Sequence, residues 1–324
     1  MRLLVTGGAG FIGSHFIDYE LEQYPEDEVL CLDALTYAGK MENLETTLKN
    51  PRFHFVRGNI CDSQAVEQVF RRFAPDVVIN FAAESHVDRS VEGPDLFLRT
   101  NVAGTGVLLD ACRKHPVRRF HQISTDEVYG DLPLGRPDLS FTEESPLRPS
   151  SPYSASKASA DLLVLSYGRT YHLPVSISRC SNNYGPRQHP EKLIPKIIAY
   201  ALKNQSAPVY GSGLQSREWI AVKDHCTAVD RIIRGGMCGA IYNVGTDCEL
   251  SNGEMVQTIL RIMNRPASMF HFVNARPEDD LRYSVDASKL RKQLGWKPET
   301  DFDRGIGETI AWYMENQKWL NLFE

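Results

Sequence analysis

Apolar and polar positions divide the chain into two unlike halves. In the first, short apolar runs at 3–5, 29–32, 53–56, 77–81 and 120–124 read as strands. Between them, segments 11–24, 63–73 and 95–114 repeat their apolar residues at helical spacing. Such alternation predicts a parallel sheet with helices on both faces. A further strand is expected at 175–178, after a long helix that starts near Tyr153. Beyond Ser181 the pattern loosens. Helices are expected at 190–202, 223–234, 253–263 and 304–316, and short strands at 208–210, 219–222 and 270–273. The stretch from Pro133 to Pro152 holds five prolines and reads as a loop packed beside the site. No repeat, low-complexity tract or clean linker divides the chain.

The turn between the first strand and the first helix is Thr6-Gly7-Gly8-Ala9-Gly10-Phe11-Ile12-Gly13. Glycines at 7, 10 and 13 permit a tight turn, close backbone approach to a pyrophosphate and close helix–strand packing. The helix N-terminus then offers free N–H groups to the phosphates. Asp33 ends the next strand, about 20 residues on. Its carboxylate can accept from both ribose hydroxyls and repels a 2′-phosphate, so NAD is expected as cofactor rather than NADP. The fold class expected is α/β: a Rossmann-type doubly wound parallel sheet with a smaller, interwoven C-terminal α/β lobe. Further strand ends continue the groove: Asn59 and Ile60 toward the adenine, and Phe81, Ala82 and Ala83 with small side chains beside the cofactor. Thr100 and Asn101 are expected as polar groups behind it. Ala34, Leu35, Thr36 and Asn183 complete the expected cofactor set.

Composition changes the picture mainly by exclusion. At 324 residues the chain is long enough for one large or two intimately packed domains. A net charge of −5 gives no support to nucleic-acid binding. No 18-residue apolar run exists, so no membrane span is expected. Seven scattered cysteines, with no CxxC pair, fit reduced thiols in the cytoplasm and argue against a metal site.

The candidate chemistry lies in Ser124-Thr125-Asp126-Glu127 and Tyr153-Ser-Ala-Ser-Lys157. Tyr153 and Lys157, four apart, share one helix face. A phenol with an ordinary pKa near ~10 must be lowered by roughly 3 units, about 4 kcal/mol, to serve as a base at neutral pH. A lysine one turn away together with a bound cationic nicotinamide is expected to supply this. The pair alone suits alcohol oxidation; Asp126 and Glu127 add a second acid/base pair that a simple oxidoreductase does not need.

With these residues in place, the chain resembles the extended short-chain dehydrogenase/reductases, and more closely the dTDP-glucose 4,6-dehydratase family. The resemblance runs nearly end to end, through TGGAGFIGS, LTYAG, AAESHVDRS, STDEVYGDLP, SPYSASKAS, CSNNYGP, PEKLIP and LGWKP. It implies roles. Thr125 would touch the sugar O4 region beside the base Tyr153, and Lys157 would also hold the nicotinamide ribose. Asp126 would be the acid for the leaving hydroxyl and Glu127 the base at C5. Asn182, Lys192, Leu193, Pro208, Tyr210, Arg217, Asn243 and Arg276 would bind the nucleoside diphosphate; Ser85 and Asp279 complete the expected substrate set. Residues 1–181 with about 217–245 would form the NAD-binding domain, and about 182–216 with 246–324 the sugar-nucleotide lobe. The family's usual Arg-Pro-Gly-His-Asp is here Arg276-Pro277-Glu278-Asp279-Asp280, which leaves the base open between thymine and uracil, and Asn59 stands where an aspartate is common. The alternatives are a UDP-glucose 4,6-dehydratase, a sugar-nucleotide C4 epimerase, and a non-enzymatic NAD-holding scaffold. A homodimer is expected through helices 95–114 and 152–171, whose Val107, Leu108, Leu162, Leu163 and Leu165 exceed what one sheet face needs.

Overall fold

In the computed structural model, which describes residues 1–274 and 280–320, the strands alternate their side chains between two helical layers. The first half runs β1 (Arg2–Thr6), α1 (Phe11–Gln23), β2 (Glu28–Asp33), β3 (Phe53–Arg57), α2 (Ser63–Phe73), β4 (Val77–Asn80), α3 (Val87–Glu92), α4 (Pro94–Phe97), α5 (Thr105–Lys114), β5 (Arg119–Thr125), α6 (Pro152–Tyr171) and β6 (Val175–Cys180). The second half holds β7 (Asn182–Tyr184), α7 (Leu193–Leu202), β8 (Ala207–Tyr210), β9 (Ser216–Ala221), α8 (Val222–Gly235), β10 (Ile241–Val244), β11 (Glu249–Ser251), α9 (Asn252–Ile262), β12 (Phe270–Val273), α10 (Ser288–Leu294) and α11 (Phe302–Glu315).

Seven parallel strands form the main sheet in the order β10-β6-β5-β4-β1-β2-β3. Leu4, Leu30, Val78 and Phe120 face one way and pack on α2, α5 and α6. Leu3, Val5, Val29 and Ile79 face the other way and pack on α1 and α8. This period-2 sorting is what makes the sheet doubly wound. Chain direction across the sheet reverses at β1 and β4, so a crevice opens at the C-terminal ends of those strands. A smaller lobe has its own core, built from α7, α9, α11, a three-stranded sheet β11-β9-β7 and the pair β12-β8.

Several expectations are corrected. The helix expected over 95–114 runs without a break through α4, a wide π turn at Leu98–Gly104, and α5, its hydrogen bonds widening in the middle. The helix expected at 190–202 starts at Leu193, and Val222 opens α8 rather than ending β9. The short strands β7, β10 and β11 and the helix α10 did not stand out in the pattern. Of the five apolar residues assigned to a subunit contact, Leu108 is fully buried and Val107, Leu163 and Leu165 pack on the monomer core; only Leu162 is exposed, at 58%. No helix among the described residues is long and apolar enough to cross a membrane.

Candidate active site

The β1–α1 turn is built for close approach. Gly7 has φ +68°, and a Cβ there would sit 2.6 Å from the Ala82 backbone nitrogen. A Cβ on Gly13 would lie 2.6 Å from the Gly7 carbonyl oxygen. The turn is therefore pressed against the end of β4, and α1 begins at once with Gly10 as its cap. Asp33 ends β2. Its Oδ2 accepts from the Ala9 N–H at 2.9 Å and its Oδ1 from the Leu35 N–H at 2.8 Å. Burial pushes its carboxyl pKa up while those two N–H groups hold it down. Each oxygen keeps a lone pair for a ribose hydroxyl.

These residues line a cavity of about 360 Å³ together with Phe11, Ile12, Ala34, Thr36, Asn59, Ile60, Phe81, Ala82, Ala83, Thr100 and Asn183. Glycine cradle, helix N-terminus and carboxylate are what NAD requires. Leu35 differs from its expected place: with φ +52° it contributes its N–H to Asp33, and its side chain packs into the core rather than lining the cavity. Thr100 and Asn101 sit in the π turn, a form often found at functional sites. Asn101 accepts from the Glu84 N–H at 2.9 Å and donates to the Glu84 carbonyl at 3.0 Å and to Ser156 Oγ at 2.8 Å. It is a satisfied amide that fixes the β4 loop to α6.

On the far side of the same cavity, α6 starts with a reciprocal cap. Ser151 Oγ accepts from the Ser154 N–H at 3.1 Å, Ser154 Oγ accepts from the Ser151 N–H at 3.0 Å, and Pro152 occupies the first turn. That start places Tyr153 and, one turn on, Lys157 at the end of β5. Lys157 Nζ donates to the Ile123 carbonyl at 2.6 Å. Burial is the main influence on both groups. It lowers the Lys157 pKa and, with Glu127 next, raises the Tyr153 phenol well above its ordinary value; a hydrogen bond with Thr125 pulls the phenol back down. The chain's own residues therefore do not lower the phenol by themselves; the lowering expected from Lys157 together with a cationic nicotinamide needs the cofactor's charge as well.

Asp126 and Glu127 open a tight turn, Asp126–Tyr129, directly after β5, with Thr125 Oγ1 accepting from the Glu127 N–H at 3.3 Å. Asp126 is 2% exposed. Its Oδ1 accepts from Thr125 Oγ1 at 3.2 Å, and its Oδ2 is buried with no hydrogen-bond partner among the described residues. Burial, then Glu127 and Glu218, push its pKa well above the usual carboxylate range, against Arg217 and Thr125. A carboxyl that stays protonated is the form a general acid needs.

A second cavity, of about 190 Å³, meets the first at Ser85, Glu127, Asn182, Gln188, Glu191 and Lys192. Leu193, Pro208, Tyr210 and Arg217 line it. Lys192 Nζ donates to the Ser85 carbonyl at 3.0 Å; Arg217 donates to the Asp280 carbonyl at 2.9 Å and lies 4.4 Å from the Tyr283 ring centre. Glu127 thus stands between a redox end, at Tyr153, and a cationic end, at Lys192 and Arg217. Asn243 is placed elsewhere: fully buried in β10, it accepts from the Tyr129 hydroxyl at 2.7 Å, donates to the Phe141 carbonyl at 3.0 Å, and lines neither cavity. Arg276 and Asp279 lie outside the described residues. Pattern reading missed Tyr37, Lys40, Arg187 and Glu191 in the first cavity and Lys196, Asp280 and Tyr283 in the second. Tyr37 and Glu191 lie inside LTYAG and PEKLIP, so the stretches that carry the resemblance held a signal for both.

The family model described as GDP-mannose 4,6 dehydratase matches residues 4–309. The chain is 50% identical to the low-salt glycan biosynthesis protein Agl12 of Haloferax volcanii, over 97% of this chain and 99% of that protein. It is 48% identical to a dTDP-glucose 4,6-dehydratase of Neisseria gonorrhoeae, over 98% of this chain and 96% of that one. Its fold superposes with a TM-score of 0.96 on the crystal structure of DesIV, a dTDP-glucose 4,6-dehydratase from Streptomyces venezuelae solved with NAD bound, at 45% identity and covering 100% of both chains.

Proposed function

The chain belongs to the GDP-mannose 4,6 dehydratase family, and from that premise we propose that it dehydrates dTDP-glucose to the 4-keto-6-deoxy sugar nucleotide, with NAD recycled in each turnover. The observation that carries this reading is the buried, orphaned Oδ2 of Asp126, beside Glu127 and in one cavity with Tyr153. A C4 epimerase needs the Tyr153–Lys157 pair but neither carboxyl.

The glycine turn and the α1 N-terminus would hold the NAD diphosphate, Asp33 the adenosine ribose, and Lys157 the nicotinamide ribose. Bound NAD supplies a hydride acceptor for C4 and a hydride donor for C6. The chain's residues move the protons. Tyr153, bonded to Thr125, takes the C4 hydroxyl proton. The resulting ketone acidifies C5, and Glu127 removes that proton. Asp126 donates to the C6 hydroxyl as it leaves, and a proton then returns to C5 as C6 takes up the hydride, so the balance is C4 oxidised, C6 reduced and one water lost. Lys192 and Arg217 neutralise the diphosphate, with arginine offering a planar fork.

Seven free thiols suit a reducing compartment, and we place the protein in the cytoplasm. We also assign it a symmetric dimer, supported by Leu96, Leu98 and Leu162, each about half exposed or more on the layer of α4, the π turn and α6. Light scattering at micromolar concentration should give twice the 36.5 kDa chain mass; a monomer would reject the pairing. The reaction itself is tested by mixing purified protein with dTDP-glucose and UDP-glucose separately and weighing the products. Loss of one water from dTDP-glucose is expected. Isomers of unchanged mass would move the assignment to an epimerase.

A further inference from the structure

We propose that Glu191 is a latch: its carboxylate ties the β7–α7 connection to Tyr37 and to α3, closing the wall of the cofactor cavity so that NAD stays bound from one turnover to the next. The demand for retention rests on the dehydratase reading above; the latch is read from the contacts. Three segments far apart in sequence meet on this one side chain, which is 13% exposed. Its Oε1 accepts from the Tyr37 hydroxyl at 3.3 Å. Its Oε2 lies 3.3 Å from His86 Nε2 and 3.9 Å from Arg89. Lys192 Nζ is 4.0 Å from Oε1.

The tautomers can be assigned. His86 Nδ1 accepts the Arg89 N–H at 3.4 Å as the cap of α3, so a neutral ring carries its proton on Nε2, facing Glu191. His189 Nδ1 is 3.5 Å from the same carboxylate oxygen, yet it accepts the Glu191 N–H at 3.4 Å, and burial holds its pKa down to about 4. It is therefore neutral at pH 7 and makes no ion pair. Its ring instead braces Tyr37 edge-on at 5.4 Å, while Arg89 lies 4.0 Å from the Tyr37 ring centre on its own account. Tyr37, His189, Glu191 and Lys192 all line the NAD cavity, and His86, Glu191 and Lys192 also line the adjoining one. Burial pushes the Glu191 pKa up, with Lys192, Arg89 and the Tyr37 hydroxyl opposing. A carboxylate only 13% exposed and held by donors from three segments costs most when those segments part, so it resists the opening that NAD release needs.

Glu191 is a positioning residue here, and its readout is cofactor exchange rather than turnover. The NAD-loaded protein is mixed with excess labelled NAD and the exchange rate is followed without any sugar nucleotide. Glu191→Gln keeps the side-chain volume but removes the charge; Tyr37→Phe removes only one hydroxyl. Both variants should exchange NAD roughly tenfold faster or more, while urea midpoints stay close to wild type. Exchange within twofold of wild type in both variants overturns the latch. Lower urea stability with unchanged exchange overturns it too, by assigning Glu191 to the fold alone. If Glu191→Gln does not fold, Tyr37→Phe decides by the same criterion. A wild-type protein that fails to dehydrate dTDP-glucose, but whose variants exchange NAD faster, would retire the proposed reaction and leave the latch standing.

Discussion

Replacing Asp126 by asparagine should separate activity from stability. The carboxyl is 2% exposed, one oxygen has no hydrogen-bond partner among the described residues, and burial first, then Glu127 and Glu218, raise its pKa well above 3.8. An unfolded aspartate loses its proton near ~3.9. Above that pH the folded protein holds more protons than the unfolded one, so this group makes stability fall as pH rises. The penalty is absent below the unfolded value and complete above the folded one. Asparagine has no proton to lose, so the penalty disappears, and at neutral pH the variant should be at least as stable as wild type. Activity goes the other way. An amide is a poor donor to a departing hydroxyl, and loss of a general acid costs ~10²- to 10⁴-fold, or about 2.7–5.4 kcal/mol of barrier. The assay follows 4-keto-6-deoxy product and C5 deuterium incorporation from dTDP-glucose in heavy water, beside urea unfolding between pH 5 and 8. C5 exchange should persist while water loss slows. Dehydration at the wild-type rate, or a variant more than about 1 kcal/mol less stable, which is a typical destabilising substitution, would refute the reasoning.

Glu127→Gln should give the complementary result, oxidation at C4 with little C5 exchange, read in the same heavy-water experiment. Tyr153→Phe should cut turnover by ~10² or more while sugar-nucleotide binding, measured by calorimetry, is largely kept; retention of a tenth of the wild-type rate would contradict a general base. Gly10→Asp should set a negative charge against the diphosphate, and its Cβ, 3.2 Å from the Gly7 carbonyl oxygen, also requires the turn to yield by a few tenths of an ångström. Nucleotide released from the denatured variant should contain no NAD, and NADP in place of NAD in the wild type would defeat the Asp33 argument. Asp161→Asn leaves Arg179, 2% exposed, without its carboxylate partner at 2.9 Å; urea unfolding should show a loss of ~3–5 kcal/mol.

What the chain wrote locally was legible without coordinates. The glycine turn, Asp33 one strand later and the Tyr153–Lys157 spacing are each set by backbone geometry over a few residues, and the short apolar runs of the first strands follow from burial on both sheet faces. Other features needed the whole fold. Strands β7, β10 and β11 hold only three or four residues each, too few for a period, and exist because β9 and β6 offer them edges. The π turn over Leu98–Gly104 carries Asn101, whose bonds to Glu84 and Ser156 no helical periodicity encodes. Asn243 reads as a ligand in sequence, but the fold turns its amide toward Tyr129 and Phe141. The identities of Asp126 and Tyr153 announced acid and base. Their protonation was decided by burial, which is a property of everything packed around them and of no residue alone. Glu191 is the same case in charge: one ordinary carboxylate in the chain, and in three dimensions the point where three loops close.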